Sequence, residues 1–234
     1  MFFPERITSI KPTDKVLEVG PGATPYYRSD VFLEKEYETE KELIAQSGHI
    51  GILQTDKKFV TYSGNIFPFA DKEFDYVICS HVLEHVENAD VFLREIQRVG
   101  KRGYLEFPTI YYDYLYNFPE HQLFLLYRDG VINWMTKKES GLLDYAIIQK
   151  FFLKTCQLGY FEIINSCKDY FFQGFEWADN IKSIKVDNLE KLTYTLNEIN
   201  LPSKLNQAPE AEIIDYSKIS IKKHFRYKMQ RFFK

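Results

Sequence analysis

An acidic residue in an apolar strand, followed directly by a Gly-Pro-Gly turn, is the feature of this sequence best suited to bind a ligand. Residues 16–19 are Val-Leu-Glu-Val, which favours a β-strand, and Gly20-Pro21-Gly22 turns the chain over its carboxyl end. Because glycines lack a Cβ atom, these peptides can approach a bound group closely. A buried carboxylate is costly without a basic partner, so Glu18 predicts either a ligand ammonium or a buried ion pair within the protein.

A second carboxylate ends the next apolar run. Residues 31–33 are Val-Phe-Leu, and Glu34 follows them, 14 residues after Gly20. Parallel strands end at one edge of a sheet, where an acidic side chain can accept hydrogen bonds from both hydroxyls of a ribose. Glu34 is therefore predicted either to bind a ribose or to be a solvated surface residue. The short interval between Gly22 and Val31 leaves room for only a turn or two of crossover helix.

Strand and helix patterns alternate along the rest of the chain and predict an α/β protein. The apolar run at 74–80 is typical of a strand buried on both faces. Asp129-Gly130, between two β-rich runs, favours a hairpin with a primed turn. The other predicted strands are 58–62, 104–107, 123–127, 131–135 and 161–165, and the predicted helices are 38–46, 84–99, 142–158 and 187–197.

Four sequence motifs occur in order along the first part of the chain: VLEVGPG from residue 16, FPFADKEFDYV from 67, HVLEHV from 81 and RVGKRGYLEFP from 98. Together they resemble the class I S-adenosylmethionine-dependent methyltransferases, in particular a small bacterial branch. The resemblance covers about residues 14–137. It implies a Rossmann-like fold with a mostly parallel sheet, an antiparallel hairpin at one edge, helices on both faces and a C-terminal extension.

The resemblance also implies S-adenosylmethionine as the cofactor and assigns residues to its parts. The amino acid end is expected at Glu18, Gly20, Pro21 and Gly22, the ribose at Glu34, the region near the sulfonium at Ser80 and His81, and the adenine at Ser63, Gly64 and Asn65. Ser63 departs from the family pattern, which has an acidic residue there. A hydroxyl forms only a weaker, neutral hydrogen bond, so Asn65 or the backbone would have to compensate.

Two histidines are candidates for the catalytic base. Methyl transfer is an in-line displacement at carbon, so an enzyme positions the nucleophile and, for a hydroxyl acceptor, removes its proton. His121 follows an aromatic loop at 117–120, where the resemblance places substrate-binding residues, and His85 follows the strand at 74–80. A structural role is the alternative for each histidine.

Residues 81–85 also spell His-x-x-Glu-His, which is a zinc-protease helix signature. Such a site needs the first histidine inside a helix, whereas His81 directly follows a buried strand. We therefore predict no metal site. Some similar ubiquinone-pathway methyltransferases bind magnesium near this segment, which makes Glu84 a minor metal candidate; favourable charge placement in a first helical turn is its alternative.

Composition and charge exclude several classes of protein. The chain has 234 residues and a net charge of −3, but residues 218–234 carry seven Lys or Arg and no acid, which leaves −10 for the remainder. Such a body is not expected to bind nucleic acid. Three cysteines without C-x-x-C spacing fit a reducing cytoplasm, and neither a signal peptide nor an 18-residue apolar span is recognised. We expect a cytoplasmic protein with a methyltransferase domain at 1–168 and an extension at 169–234.

The predicted activity is O-methylation of a small molecule or biosynthetic intermediate, including envelope-glycan or lipid-linked precursors. The alternative is a non-catalytic nucleotide-binding module; an NAD-linked dehydrogenase is disfavoured because the third glycine of the dinucleotide motif is absent. Residues 218–234 predict a basic amphipathic helix that contacts either an anionic membrane surface or the protein's own acidic body. The acceptor and the oligomeric state are left open.

Overall fold

The computed structural model of the chain describes residues 1–37, 39, 56–142 and 146–199. The strands in these ranges are β1 Val16–Val19, β2 Val31–Lys35, β3 Lys58–Tyr62, β4 Phe74–Ser80, β5 Gly100–Pro108, β6 Leu123–Arg128, β7 Val131–Thr136, β8 Phe172–Ala178 and β9 Lys182–Lys185. The α-helices are α1 Ala89–Val99, α2 Ile110–Tyr116, α3 Ala146–Gln157, α4 Glu162–Ser166 and α5 Lys168–Phe171. Within the described ranges, no helix has the length and apolar character needed to cross a bilayer.

Six strands form the central sheet, in the order β3-β2-β1-β4-β5-β8. Strands β1 to β5 are parallel to one another, and β8 pairs antiparallel with β5. The chain runs outwards from β1 to β3 on one side and from β4 to β5 on the other, so the direction of winding reverses between β1 and β4. In such sheets, ligands bind at the carboxyl ends of the strands beside the reversal. The predicted Rossmann-like α/β class is confirmed.

The two faces of the central sheet are covered differently. On one face, Leu17 and Leu105 belong to a buried cluster with the apolar side of α1 and with Trp134 of β7. On the other face, Tyr76 packs in a separate cluster with Ile7 from the N-terminal segment. Phe172 of β8, which lies on this same face, packs with Tyr112 and Tyr116 of helix α2.

Helix α1 begins later than the sequence predicts. Asn88 caps it, since its side-chain oxygen accepts a hydrogen bond from the Val91 amide (3.2 Å). Glu84 and His85 lie before the cap, in a separate 3₁₀ turn at Leu83–His85. Val86 then adopts an extended conformation that interrupts the helical path. This interruption leaves Glu84 and His85 at the end of β4, next to the cavity described below.

The predicted hairpin is present, but it does not form the edge of the central sheet. Asp129 and Gly130 both have positive φ values, 52° and 76°, as a primed turn requires. The hairpin strands β6 and β7 join β9 in a separate three-stranded sheet. The antiparallel edge of the central sheet is β8, whose Trp177 lies against the space that Gly103 leaves open in β5.

Two further segments differ from their predicted secondary structure. Residues 161–165, predicted as a strand, belong mostly to helix α4, because a short apolar run does not distinguish a strand from a short helix. The predicted helix at 187–197 is replaced by two 3₁₀ turns. The Asn188 side chain starts the first turn by accepting a hydrogen bond from the Glu190 amide (2.8 Å), and such local bonds compete with a regular helix.

Residues up to Leu196 form one compact unit. Strands β8 and β9 follow residue 168, where the sequence places the end of the methyltransferase domain, and they belong to the two sheets of this unit. Nearly all of the helix predicted at 38–46 lies outside the described residues, as does the basic segment at 218–234.

Gly103→Ala is expected to destabilise the protein more than Gly130→Ala. A Cβ atom on Gly103 would lie 2.0 Å from the carbonyl oxygen of Val77, which is part of the β4–β5 pairing. On Gly130, a Cβ atom meets nothing within 4 Å, so only the positive φ is penalised. In urea denaturation, the free energy of unfolding should fall by about 3 kcal/mol in Gly103→Ala and by about 1 kcal/mol in Gly130→Ala. Equal losses would contradict the described packing between β4 and β5.

Candidate active site

A cavity of about 420 Å³ lies beside the reversal between β1 and β4. A second cavity of about 350 Å³ adjoins it. The residues that line both cavities are Gly20, Glu34, Tyr37, Val82 and His85. This arrangement brings the ends of β1, β2 and β4 to one elongated site, as parallel strands with short connecting turns require.

The first cavity has an acidic lining. Glu18, Glu34, Glu84 and Glu120 contribute to it, and none of its lining residues in the described chain is Lys or Arg. His81 and the N-terminal residue Met1 also line the cavity, so its acidic character is an excess of carboxylates. Low-dielectric walls with an excess of one sign of charge concentrate ligands of the opposite sign. The cavity is therefore suited to a cationic ligand.

Glu18 is buried, with 5% of its surface exposed, at the floor of the first cavity. Its carboxylate accepts hydrogen bonds from the Tyr26 amide (2.9 Å) and the Ser29 hydroxyl (2.6 Å). These partners come from the loop after β1 and are neutral. Burial raises the pKa of Glu18 to about 7, even though the two hydrogen bonds lower it. A ligand ammonium beside this carboxylate would stabilise its ionised form.

The two glycines of the turn have different structural roles. Gly20 and Gly22 both have positive φ values, 64° and 57°, which are strained for other residues. A Cβ atom on Gly20 would lie 2.3 Å from a methyl group of Val82, so this glycine is needed for contact within the protein. A Cβ atom on Gly22 meets nothing within 4 Å, which leaves open space beside Pro21 and Gly22 in the cavity wall.

Glu34 lies at the end of β2 and lines both cavities. Burial raises its pKa, although a hydrogen bond from the Lys35 amide (3.1 Å) and one with the Tyr37 hydroxyl lower it. Its side chain is half-buried. Its place between the two cavities matches the position expected of a ribose-binding carboxylate.

The predicted adenine residues are only partly brought together. Gly64 and Asn65 line the second cavity, whereas Ser63 is exposed and lines neither cavity. Tyr62 and Phe67 provide apolar walls for the same space. A flat ring would contact aromatic side chains in this second cavity. Ser63 is not among the residues that line the second cavity.

His81, at the corner after β4, is held by Glu106 of β5. Its φ of 58° lies in the left-handed region, which is strained for a non-glycine residue. The His81 amide donates to the Glu106 carbonyl (2.9 Å), and the His81 Nε2 lies 3.0 Å from the Glu106 carboxylate. Burial lowers the pKa of His81, but its hydrogen bond to Glu106 and the nearby negative charge of Glu84 raise it to about 9. Ser80 also donates to Glu106 (3.2 Å).

Glu84, His85 and His121 meet in the wall of the first cavity. One ligand atom from each lies within 4.8 Å of the others, although 36 residues separate His85 from His121. His121 Nδ1 forms a hydrogen bond with Asp113 of α2. Both candidate bases therefore reach the site, and His121 is oriented by a carboxylate. These four residues are called the Glu-His-His-Asp cluster below.

Two of the residues in this site were missed by the sequence analysis. Glu106 carries the same signal that identified Glu18, namely an acidic residue inside an apolar strand. Asp113 lies in an aromatic run that predicts packing, and nothing in that run indicates its contact with His121. The contact depends on the path of the chain between α2 and β6.

Comparison with known proteins finds a family similarity in one part of the chain. Residues 34–105, which are 72 of the 234 residues, match the family described as a methyltransferase domain. The match confirms the resemblance inferred from the four motifs and, with it, S-adenosylmethionine as the cofactor. It does not include Glu18 or His121, so the roles of individual site residues stay predictions.

Three proteins illustrate the similarity. An uncharacterized protein of Methanocaldococcus jannaschii is 32% identical over 92 residues, which is 39% of this chain and 42% of that protein. The chain therefore spans less than half the length of this curated relative. A methyltransferase structure from Thermotoga maritima is 16% identical, with a TM-score of 0.36 over 51% of this chain and 61% of that one. One from Mesorhizobium loti is 15% identical, with a TM-score of 0.31 over 53% and 57%.

The protein should carry a stability penalty at Glu18 that Glu18→Gln removes. Glutamine can accept from the Tyr26 amide and donate to Ser29, but it has no charge to bury. The pKa of Glu18 is raised in the folded state, so its penalty is absent below about pH 4.5, grows as the pH rises and is complete above about pH 7. The free energy of unfolding of Glu18→Gln should therefore exceed that of the wild type by up to about 3 kcal/mol at pH 8 and should equal it at pH 4.5.

Urea denaturation across this pH range tests the expected stabilisation by Glu18→Gln. Glu176→Gln is the control, because it should change the free energy of unfolding in the opposite direction. Glu176 accepts hydrogen bonds from Thr8, Ser9 and Tyr76. Burial raises its pKa, but these bonds lower it to about 2. Its stabilisation is therefore present above its unfolded pKa and lost as the pH falls towards 2, so Glu176→Gln should destabilise at neutral pH. A pH-independent effect of Glu18→Gln would contradict the proposed burial cost.

Proposed function

We propose that this chain is an S-adenosylmethionine-dependent methyltransferase that transfers the methyl group to a hydroxyl of a small molecule or biosynthetic intermediate. The observation that supports this most strongly is the acid-lined cavity at the reversal of the sheet, with Glu18 and Glu34 at the ends of adjacent strands. S-adenosylmethionine carries a sulfonium and an ammonium. Both cationic groups suit a cavity without a described Lys or Arg in its lining.

The cofactor is proposed to extend across both cavities. Its ammonium is placed at Glu18, its carboxylate end in the open space beside Gly22, and its ribose hydroxyls at Glu34. The adenine then enters the second cavity, between Tyr62 and Phe67 and close to Gly64. This orientation leaves the sulfonium near the corner formed by Ser80 and His81, on the side of the first cavity that faces the Glu-His-His-Asp cluster.

The acceptor is proposed to enter between the cofactor and the aromatic wall formed by Tyr112 and Phe118. Its oxygen forms a bond to the methyl carbon as the bond from carbon to sulfur breaks, and the sulfonium becomes a neutral thioether. The hydroxyl proton passes to the Glu-His-His-Asp cluster. His121 is best placed to receive it at Nε2, because Nδ1 is engaged by Asp113.

Several finer features belong to the same proposal. An acceptor on an envelope-glycan or lipid-linked precursor would be consistent with a basic helix at residues 218–234 that contacts a membrane surface, and a cytoplasmic location is consistent with the three free cysteines. The competing proposal is a module that binds the cofactor without catalysis. Glu84 and His121 in the cavity favour the enzyme, since a binding module needs neither.

Calorimetry with S-adenosylmethionine and with its demethylated product tests the cofactor assignment. Binding of either compound below about 1 mM is expected, and no binding at that concentration would refute the proposal. Mass spectrometry of acceptor mixtures then distinguishes the two readings. A mass increase of one methyl group in a hydroxyl compound supports the enzyme, whereas cofactor binding without transfer across a broad acceptor panel supports the module.

Glu34→Ala is expected to weaken cofactor binding by roughly 30- to 150-fold. This range corresponds to the loss of about 2–3 kcal/mol from charge-assisted hydrogen bonds to both ribose hydroxyls. Glu36→Ala is the matched control, since Glu36 is an exposed residue just after β2 and does not line either cavity. Calorimetry should show a change below threefold for the control. A similarly small change at Glu34 would mean that this carboxylate does not contact the ribose.

Cofactor affinity is also expected to rise with pH through about 7. The ammonium binds the ionised form of Glu18, and burial raises the pKa of that group to about 7, with the charge of Lys57 acting in the opposite direction. Below this value the affinity should fall by up to about tenfold per pH unit. Isothermal titrations between pH 5.5 and 8.5 should show this slope in the wild type. A slope retained in Glu18→Gln would assign it to another group.

A further inference from the structure

We propose that Glu84, His85 and His121 form a binding site for one divalent transition-metal ion of the zinc class, with Asp113 as a positioning residue for His121. The sequence analysis predicted no metal site, because it considered only the local spacing of His81, Glu84 and His85. The structure brings in His121 from a distant segment.

Glu84 provides the strongest indication of a missing cation. Its surface is 0% exposed, and neither carboxylate oxygen has a hydrogen-bond partner among the described residues. The buried Nδ1 of His85 also has no such partner in the described chain. Buried polar atoms are nearly always paired, because an unpaired one loses its hydration without compensation. An ion that binds the Glu84 carboxylate and a nitrogen of each histidine would supply the missing interaction.

The distances are compatible with a shared ion after small side-chain movements. Ligand atoms from the three residues all lie within 4.8 Å of one another, and His85 Nε2 is 4.0 Å from Glu84 Oε1. Tetrahedral bonds of about 2.0–2.2 Å to zinc place two ligand atoms roughly 3.3–3.6 Å apart. A contraction of about 1 Å between ligand atoms therefore closes the site, which side-chain rotation can supply.

The backbone already fixes the two segments that carry the ligands. The Gln122 amide donates to the Glu84 carbonyl (2.7 Å), and the Gln122 side chain donates to the His85 carbonyl (3.1 Å). The His121 amide donates to the Phe118 carbonyl (3.2 Å). The 3₁₀ turn after β4 and the entry to β6 are thus linked directly beside the ligands, so only side chains have to move when the ion binds.

Asp113 supplies the outer contact that metal-binding histidines commonly make. It is fully buried and forms a hydrogen bond with His121 Nδ1, which leaves Nε2 directed to the ion. Such a carboxylate fixes the tautomer and the orientation of the ring. Two imidazoles and one carboxylate favour zinc, iron, manganese or cobalt over magnesium, which prefers oxygen ligands.

His81 does not account for the buried Glu84 by itself. His81 Nδ1 lies 3.4 Å from Glu84 Oε1, within ion-pair distance, but the contact lacks hydrogen-bond geometry and leaves the second oxygen unpaired. The other nitrogen of His81 is engaged by Glu106. The unpaired second oxygen of Glu84 is therefore available to the ion.

A consequence for the reaction rests on the proposed function. The ion would lie where the acceptor hydroxyl loses its proton, and the fourth coordination position would be open to that oxygen. A bound cation lowers the pKa of the oxygen ligand and holds it in place. His121 would then act as a ligand, and the proton would leave to solvent instead of passing to His121.

The test uses the full chain, freed of metal by a chelator, and titrates it with Zn²⁺ by calorimetry and with Co²⁺ by visible absorption. One ion per chain with micromolar or tighter affinity is expected, together with Co²⁺ bands typical of nitrogen and oxygen ligands. Glu84→Gln, His85→Ala and His121→Ala should each weaken binding at least 100-fold. Asp113→Asn should weaken it by about 10- to 100-fold and shift the Co²⁺ bands, and Asp113→Glu should restore part of the affinity.

His49→Ala/His224→Ala is the control, because it removes the two histidines that lie outside the described residues and should leave the stoichiometry and affinity unchanged. Thermal unfolding without metal shows whether each variant folds; Glu84→Gln keeps the size and shape of the side chain and removes only the charge that pairs with His81. The proposal would be overturned by a wild type that binds neither ion below 1 mM, or by Glu84→Gln and His121→Ala variants that bind the ion as tightly as the wild type. Cofactor calorimetry on the metal-free protein tests the proposed methyltransferase activity separately, so the two proposals can fail independently.

Discussion

Neighbouring strands of the central sheet place carboxylates near their carboxyl ends. The site depends on how each of these negative charges is compensated. Glu34, Glu18 and Glu106 belong to β2, β1 and β5, and Glu84 follows β4. Parallel strands bring these ends together regardless of charge, because the pairing register is set by the apolar runs. Close carboxylates repel one another in a low-dielectric cavity, so each needs a partner, a proton or a cation.

The four carboxylates are compensated in different ways. Glu106 accepts hydrogen bonds from the Phe2 and Phe3 amides, from Ser80 and Tyr104, and is paired with His81. Burial raises its pKa, but these partners lower it to about 2, so it stays a fixed anion. It joins the N-terminal segment, β4 and β5 at the corner of the cavity. Glu18 has only neutral hydrogen-bond partners and can hold a proton, and Glu34 accepts a hydrogen bond from the Lys35 amide. Glu84 has the ion pair with His81 but no hydrogen-bonded partner in the described chain.

The sequence predicted the elements whose signals are local. The five parallel strands follow from apolar runs, and the hairpin follows from Asp129-Gly130. The identity of the antiparallel edge could not be predicted in this way. It depends on Trp177 fitting the space left by Gly103, which is a contact between distant segments. The helix at α4 was misassigned because five residues are too few to show a period.

The same distinction applies to the site. Glu18 and Glu34 could be identified because each follows an apolar run and lies at a predicted strand end, next to a turn or loop. The Glu-His-His-Asp cluster could not, because its members come from the 3₁₀ turn after β4, from α2 and from the loop before β6. Glu84 was considered with the histidines nearest to it in sequence, and the histidine that completes the cluster lies much further along the chain.

Charge compensation also limits how this cavity can accelerate methyl transfer. An acidic lining stabilises the sulfonium of the bound cofactor, and that positive charge disappears as the methyl group moves to the acceptor. The electrostatic interaction is therefore stronger in the ground state than in the transition state, and by itself it slows the chemical step while it tightens binding. Rate enhancement must then come from alignment of the acceptor oxygen with the methyl carbon and from removal of its proton. A cation held by Glu84, His85 and His121 would align the acceptor oxygen by binding it and would make its proton easier to remove. The same cation would offset part of the negative charge facing the sulfonium.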